Sequence, residues 1–95
     1  MHYNNVMETI YISNIDRNIV NDVAGNKVYD KIKNSLKKSC VKLDFSNVNV
    51  ITVYCASQIF RTLLNEIGEN AFEKNIIFTN VPPCIEVIIN LALNS

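Results

Sequence analysis

The sequence lacks the residues on which most hydrolytic and group-transfer enzymes depend. Its single histidine is His2, so a Cys–His or Ser–His–Asp nucleophile system has no base in a folded segment. Its two glycines, Gly25 and Gly68, stand alone, which excludes a glycine-rich phosphate loop and a dinucleotide-binding fingerprint. The carboxylates form no paired motif. We therefore expect a protein that is not an enzyme and needs no cofactor.

Cysteine is also scarce, and its spacing excludes two common structural roles. Cys40, Cys55 and Cys84 are odd in number, widely separated and form no Cys-x-x-Cys pair. This arrangement argues against both a disulfide framework and a zinc site, so we expect no bound metal and interpret the three residues as free, buried thiols.

The sequence has no excess of charge and no long apolar run. Nine lysines and arginines balance nine aspartates and glutamates, so no global field attracts nucleic acid or an anionic membrane. No stretch approaches the ~20 apolar residues of a membrane span, and the N-terminus lacks the features of a signal peptide. We expect one cytoplasmic domain over residues 1–95, with neither nucleic acid nor membrane as a partner.

The first half of the chain alternates between strand-like and helix-like patterns. Residues 7–13 alternate apolar and polar side chains, which predicts a half-buried strand. A turn follows, and Ile19 and Val20 are placed in a short returning strand. Apolar residues then recur every three or four positions over residues 23–39, which predicts an amphipathic helix. Asn21 and Asp22 are good caps for it, and Gly25 suggests a start just after the glycine.

The next strand predicts how the sheet is covered. In residues 40–45 the apolar side chains Val41, Leu43 and Phe45 share one face, and the other face carries Cys40, Lys42 and Asp44. A strand buried on both faces would be apolar nearly throughout. We therefore expect helices mainly on one face of the sheet.

A long amphipathic helix follows Thr52. Its apolar residues keep an unbroken helical spacing, with Thr52 as the cap and Gly68 as the C-terminal stop: Ala56, Ile59, Phe60, Leu63, Leu64 and Ile67. The acidic residues near its end are typical of a solvated helix end and turn: Glu66, Glu69 and Glu73.

Residues 76–80 predict a third core strand, and Pro82 and Pro83 predict the start of a last helix over residues 84–93. That helix is apolar nearly all round, so it is either deeply packed, the favoured interpretation, or has one face against a partner. A homodimer is the minority alternative. Strands alternating with helices predict an α/β fold: a small mixed, mostly parallel sheet with helices packed mainly on one face.

The segment from strand to helix resembles a known family. Leu43-Asp44-Phe45-Ser46, then Val50-Ile51-Thr52, then Ala56 and its helix resemble the STAS superfamily, to which the bacterial anti-sigma-factor antagonists belong. The resemblance is closest to the bacterial STAS-like domain of unknown function, and it covers most of the chain. It implies a STAS-like fold and a regulatory, non-enzymatic protein that docks on a partner, such as a kinase-type ATPase or another regulator.

The same resemblance indicates the docking site. In the antagonists, a serine at the start of this helix is phosphorylated, and the added charge abolishes docking. Tyr54 occupies the position of that serine, so the serine switch is lost or moved. We expect partner contacts from the start of the helix, and phosphorylation of a hydroxyl there. The predicted contact residues are Asn49, Thr52, Tyr54, Ser57 and Gln58, and the candidate phosphorylation sites are Thr52, Tyr54 and Ser57.

Two other functions remain open at this point. A small-ligand sensor would form a pocket from the polar face of the sheet and the region of Tyr54 and Cys55. A thiol enzyme would use Cys55, which is predicted in the first turn of a helix, where the dipole lowers a thiol pKa. We rank the thiol enzyme last, because buried cysteines outnumber reactive ones.

Overall fold

A computed structural model of the chain describes residues 6–94. Three strands, β1 (Met7–Tyr11), β3 (Cys40–Asp44) and β5 (Ile76–Thr79), form a parallel sheet in the order β1-β3-β5. Two short strands, β2 (Asn18–Ile19) and β4 (Val50–Ile51), form a separate parallel pair. The predicted α/β class with a mostly parallel sheet is confirmed.

The helices account for most of the remaining chain. They are α1 (Ile12–Ile15), α2 (Asp22–Leu36), α3 (Val53–Ala56), α4 (Thr62–Ile67), α5 (Glu69–Asn75) and α6 (Pro83–Leu93). A π-helical turn, Ser57–Arg61, joins α3 to α4 without a break, and we call the continuous run 53–67 the central helix.

The core lies on one face of the three-stranded sheet. The strand residues Ile10, Val41, Leu43 and Ile76 are buried there against α2, the central helix, α5 and α6. Four phenylalanines meet in the same core, with ring centroids 5.2–6.4 Å apart: Phe45, Phe60, Phe72 and Phe78.

The opposite face of the sheet is open, as predicted. Thr9, Tyr11 and Ile77 are exposed on it, and Lys42 is half-buried. Asp44 is the exception, since its side chain is buried at the end of β3. It is buried because the loops that carry Ser46 and Asn80 both contact its carboxylate.

The N-terminal elements differ from expectation in two places. The first strand ends at Tyr11, because Ile12 begins the short α1 and is fully buried. Helix α2 begins at Asp22, before Gly25, and the Asn21 side chain accepts a hydrogen bond from the Ala24 amide (2.9 Å). The Asn21 cap is confirmed, whereas the prediction that the helix begins just after Gly25 was wrong.

Gly25 lies at a close contact between two helices. A Cβ atom at this position would clash with Oε1 of Gln58 in the central helix, so a larger side chain would require the end of the Gln58 side chain to move. Glycine at this position lowers the helix propensity of α2 by about 1 kcal/mol.

The region after the central helix also differs. Gly68 ends that helix with a φ of 88°, as predicted. The following acidic stretch, predicted as a turn, instead forms α5, which buries Phe72. Helix α6 is packed on one side only: Ile85, Ile89 and Ala92 are buried, whereas Val87 and Leu91 are exposed.

Two kinds of feature are absent from residues 6–94. No helix in this range combines the length and apolar character that a membrane crossing requires. No group of three or more histidine, cysteine, aspartate or glutamate side chains in this range is arranged to hold a metal ion. His2 lies outside the described residues.

Candidate functional site

The predicted docking region is built where two helices begin side by side. Strands β2 and β4 pair in register, with Ile19 opposite Ile51, and the Thr52 amide donates to the Ile19 carbonyl (3.1 Å). Because α2 follows β2 and the central helix follows β4, the pairing places the two helix starts next to each other. A second contact joins the two helix starts: the Cys55 thiol lies 3.5 Å from the carbonyl oxygen of Asn21, the residue that caps α2.

Thr52 caps the central helix, as predicted. Its side-chain oxygen accepts a hydrogen bond from the Cys55 amide at 3.1 Å, which satisfies one of the backbone donors left free at a helix start. The hydroxyl is half-buried and engaged in this contact. The Thr52 hydroxyl therefore acts as a helix cap that stabilises the fold.

Replacing Thr52 with alanine removes this cap. We expect the free energy of unfolding to fall by about 1 kcal/mol, within the range of roughly 0.5–2 found for such caps. Urea denaturation followed by circular dichroism measures the change. Thr52→Ser is the matched control, because it keeps the hydroxyl and should lose much less stability. Equal losses in the two variants would show that the methyl group, rather than the cap, stabilises this position.

Five large apolar side chains are exposed around the two helix starts. We call them the valine–tyrosine patch: Val20, Val23, Val50, Val53 and Tyr54. Tyr54 is 66% exposed and Val23 is 64% exposed. The patch spans both helix starts because Tyr54 contacts Asp22, the residue before Val23. Contiguous apolar patches larger than a few hundred Å² are typical of interaction sites, whereas single exposed apolar residues are ordinary.

Asp22 controls the ionisation of Tyr54. Its negative charge, and then the hydrogen bond between the two side chains, raise the pKa of Tyr54 above its ordinary value. The Asp22 carboxylate therefore lies close to the Tyr54 hydroxyl, where the two helix starts meet.

Gln58 faces α2 and lies one turn further along the central helix. Its Nε2 donates to Oδ1 of Asn26 (2.8 Å) and to the Asp22 carbonyl (3.4 Å). Its Oε1 is buried against Gly25 and has no hydrogen-bond partner among the described residues. Gln58 thus fixes the spacing of the two helices that carry the patch.

The other predicted contact residues are less prominent. Asn49 is exposed, and its side chain donates to Oδ1 of Asn18 (3.3 Å), so it lies at the β2–β4 edge of the site. Ser57 is half-buried at the first position of the π turn. The structure therefore brings Asn49, Thr52 and Tyr54 together at the helix start, and places Ser57 beyond them.

Sequence reasoning missed the three valines outside the central helix. Val20 and Val23 flank the cap of α2, and Val50 lies in β4. The sequence did contain a local signal, because Val20 and Val23 lie on either side of the polar cap residue Asn21. Apolar residues on both sides of a cap cannot all face the core. Their relation to Tyr54 depends on the β2–β4 pairing, which no local pattern predicts.

Cys55 is in the first turn of the central helix, as predicted, and its side chain is fully buried. The Sγ atom lies 3.5 Å from the Asn21 carbonyl, as a weak donor would. A sulfur in this position cannot reach a substrate in solution, which weakens the thiol-enzyme hypothesis. The expectation of three buried thiols was wrong for Cys84, which is exposed, and for Cys40, which is half-buried.

Thiol labelling separates these environments. We expect iodoacetamide without denaturant at neutral pH to modify Cys84 first and to leave Cys55 unmodified, because alkylation requires an accessible thiolate. Peptide mass spectrometry at a series of times measures each site. The same reaction in urea, where all three cysteines should react, is the control. Rapid modification of Cys55 in the native protein would support the thiol enzyme instead.

The ligand-sensor hypothesis predicted a pocket at Tyr54 and Cys55. A cleft of about 360 Å³ lies elsewhere, between the end of β5 and α6. Neither Tyr54 nor Cys55 lines it. Any small-ligand site at this cleft is therefore separate from the valine–tyrosine patch.

Asp44 anchors the loop that leads into the site. Its carboxylate accepts hydrogen bonds from the Ser46 amide (2.8 Å) and from Nδ2 of Asn80 (3.0 Å). The Ser46 hydroxyl and amide, followed by Asn80, lower the pKa of Asp44, and they outweigh the opposing effect of burial. Asn80 itself has a φ of 53°, a left-handed conformation that asparagine tolerates better than most residues.

Comparison with known proteins identifies a family. A family model described as "STAS-like domain of unknown function (DUF4325)" matches residues 24–84, which is more than half of the chain. The matched range begins in the first turn of α2 and ends in the first turn of α6, so it contains the start of the central helix but leaves out Val20 and Val23. Neither the curated proteins nor the solved structures gave a match.

Proposed function

Because the chain belongs to the family of STAS-like domains of unknown function, we propose that it is a non-enzymatic regulatory module that docks on a protein partner. The docking site in this proposal is the valine–tyrosine patch. The observation that carries it is the exposure of five large apolar side chains around two adjacent helix starts.

The arrangement of the patch suits a binding site. A central aromatic residue with apolar neighbours is typical of the residues that dominate binding energy at protein interfaces. The Asp22 carboxylate lies beside Tyr54, and the Gln58–Asn26 hydrogen bond joins the two helices. Little conformational entropy would therefore be lost on binding, which favours affinity.

We propose a kinase-type ATPase as the partner class, in line with the resemblance to the anti-sigma-factor antagonists. The proposed switch is phosphorylation of Tyr54, whose side chain is the most accessible of the three candidate hydroxyls. The Thr52 hydroxyl is engaged as a cap, and Ser57 is half-buried. A phosphate adds roughly −1.5 to −2 charges. Beside Asp22, that charge would oppose burial of the patch.

A pull-down from cells of the source organism tests the proposal. Tagged wild-type protein and two variants are compared, with bound proteins and phosphorylated peptides identified by mass spectrometry. Tyr54→Ala removes the centre of the patch. Tyr11→Ala is the matched control, because Tyr11 is also exposed but lies on the open face of the sheet.

The expected result is a protein that binds the wild type and Tyr11→Ala but is absent from Tyr54→Ala. A kinase-type ATPase among such proteins, together with phosphate on Tyr54, would support the partner class and the switch. Binding that is unaffected by Tyr54→Ala, or lost equally in both variants, would contradict docking through the patch.

A further inference from the structure

The outer edge of β1 has no partner strand among residues 6–94. Strand β1 pairs in parallel with β3 and lies at one end of the three-stranded sheet. The Cys40 amide donates to the Val6 carbonyl (3.0 Å), so the Val6 carbonyl faces β3. Successive residues of a strand direct their backbone groups to opposite sides, so those of Met7, Thr9 and Tyr11 face the outer edge. This edge can therefore accept a further strand.

The features that commonly protect an edge strand are missing from β1. Proteins block such edges with proline, an outward lysine, a bulge or a very short strand. The sequence of β1, Met-Glu-Thr-Ile-Tyr, contains neither proline nor lysine, and its five residues pair with β3 without a bulge. At the opposite edge of the sheet, β5 has four residues, and its Phe78 and Thr79 are half-buried. The β1 edge is therefore the longer and the more exposed of the two.

The charged side chain of β1 does not oppose pairing between two copies of the chain. Oε2 of Glu8 lies 3.1 Å from the ammonium Nζ of Lys31 in α2. A carboxylate without such a neighbour would repel the same group of a second copy, because like charges that face each other across two strands are destabilising. With Lys31 beside Glu8, the edge carries no net charge.

We propose that a second copy of this chain adds its β1 strand to this edge in antiparallel orientation, so that the two three-stranded sheets become one. The twofold axis passes between the Thr9 residues of the two copies. Met7 of each copy then lies opposite Tyr11 of the other. The edge is self-complementary about Thr9, as an interface between identical surfaces requires.

Hydrogen bonds and side chains both favour this register. Each Thr9 amide donates to the Thr9 carbonyl of the other copy, and each Tyr11 amide donates to the opposite Met7 carbonyl. The Tyr11 carbonyl takes no part, because Tyr11 is the N-cap residue of α1. On the open face of the sheet, Met7 is 45% exposed and Tyr11 is 51% exposed. The pairing makes them direct cross-strand neighbours, and a methionine sulfur packs favourably against an aromatic ring.

Sedimentation equilibrium over a hundredfold range of protein concentration tests the proposal. We expect the average mass to rise from the 10.8 kDa of one chain toward twice that value as the concentration increases. A single short edge buries less area than a standard interface, so the dimer should be weak and reversible. A chain that keeps the mass of a monomer at about 1 mM would overturn the proposal.

Substitutions of Thr9 separate edge pairing from other modes of association. Thr9→Pro removes the outward amide at the axis but no hydrogen bond to β3, and should raise the dimer Kd at least about a hundredfold. Thr9→Lys places two ammonium groups opposite each other and should raise it at least about fivefold. Thr9→Val is the matched control. It keeps the amide and a β-branched side chain, so the Kd should change by no more than about twofold.

Hydrogen exchange locates the interface. The amides of Thr9 and Tyr11 should exchange more slowly at high protein concentration, because they are paired only in the dimer. The amides of Glu8 and Ile10 face β3 and should be protected at every concentration. Circular dichroism at low concentration establishes that each variant is folded. If Thr9→Pro does not fold, the comparison of Thr9→Lys with Thr9→Val decides.

Several outcomes would overturn the proposal. They are a dimer that persists unchanged in Thr9→Lys, equal weakening by Thr9→Val, or slowed exchange confined to α6. The last would assign self-association to the exposed Val87 and Leu91. Slowed exchange of the Thr9 amide only after another protein is added to a monomer would show that the edge binds a strand of a different chain.

The β1 edge and the docking site are tested independently, because β1 contributes no residue to the valine–tyrosine patch. Tyr54→Ala should leave the dimer Kd unchanged. For the same reason, a weaker dimer in Tyr11→Ala would leave partner docking unaffected.

Discussion

Replacing Tyr54 with alanine is expected to weaken partner binding by at least about 2 kcal/mol, roughly thirtyfold, while the domain stays folded. The ring is the largest exposed side chain of the valine–tyrosine patch, and its neighbours would shield it from water in a complex. Because the ring is largely exposed in the free protein, its loss should change the free energy of unfolding by no more than about 0.5 kcal/mol.

The measurement is isothermal titration calorimetry with the partner recovered by pull-down, together with urea denaturation of each variant. Tyr54→Phe keeps the ring but removes the hydroxyl beside Asp22, so its affinity should lie between those of the wild type and Tyr54→Ala. Tyr11→Ala should bind like the wild type. If Tyr54→Ala binds normally, the patch is not the docking site, whatever the identity of the partner.

Replacing Asp44 with alanine is expected to lower the free energy of unfolding by about 2–4 kcal/mol. The variant leaves the Ser46 amide and the Asn80 side chain without their acceptor at the end of the central strand. Each lost hydrogen bond to a charged group costs about 1.5–3 kcal/mol, although water can replace part of it at the loop surface. Stabilities of small domains are only about 5–15 kcal/mol, so the loss is a large fraction of the total.

The matched control is Asp30→Ala, which removes an exposed carboxylate with no partner among the described residues. It should change stability by no more than about 0.5 kcal/mol. Thermal and urea unfolding of both variants give the comparison. A loss below about 1 kcal/mol in Asp44→Ala would show that the two loops are held by other contacts.

The same carboxylate predicts a pH dependence. The pKa of Asp44 in the folded protein is below its ordinary value of 3.8. A lowered pKa means that the unfolded chain binds the proton more readily, so this contribution to stability is present above about pH 4. It is lost as the pH falls through the pKa of the folded state. Asp44→Asn should therefore show a smaller loss of stability than the wild type between about pH 5 and pH 2. Parallel curves would contradict this contribution of Asp44.

Local patterns were sufficient where the determinants lie close together along the chain. The central helix was predicted from the spacing of Ile59, Phe60 and Leu63, because a helix must turn these side chains toward one core. Its ends were predicted as well. Thr52 and Gly68 act through hydrogen bonds and backbone angles within one helical turn.

Local patterns failed where distant residues decide the conformation. Helix α2 continues through Gly25, where the Gln58 side chain, 33 positions away, lies against the helix, and no local pattern shows that contact. Helix α5 was missed because only one of its side chains, Phe72, is fully buried, and seven residues offer too little periodicity. The π turn similarly interrupts a helical pattern that shows no break in its apolar spacing.

For the candidate site, the sequence by itself determined the family resemblance, the α/β class and the exposed helix start that carries Thr52 and Tyr54. These depend on residue order and on interactions within a few positions. Only the tertiary structure decided that Val20 and Val23 lie beside Tyr54 and that Cys55 is buried. Each of these depends on which strands and helices become neighbours, and strand pairing and core packing bring together residues that lie 30 or more positions apart.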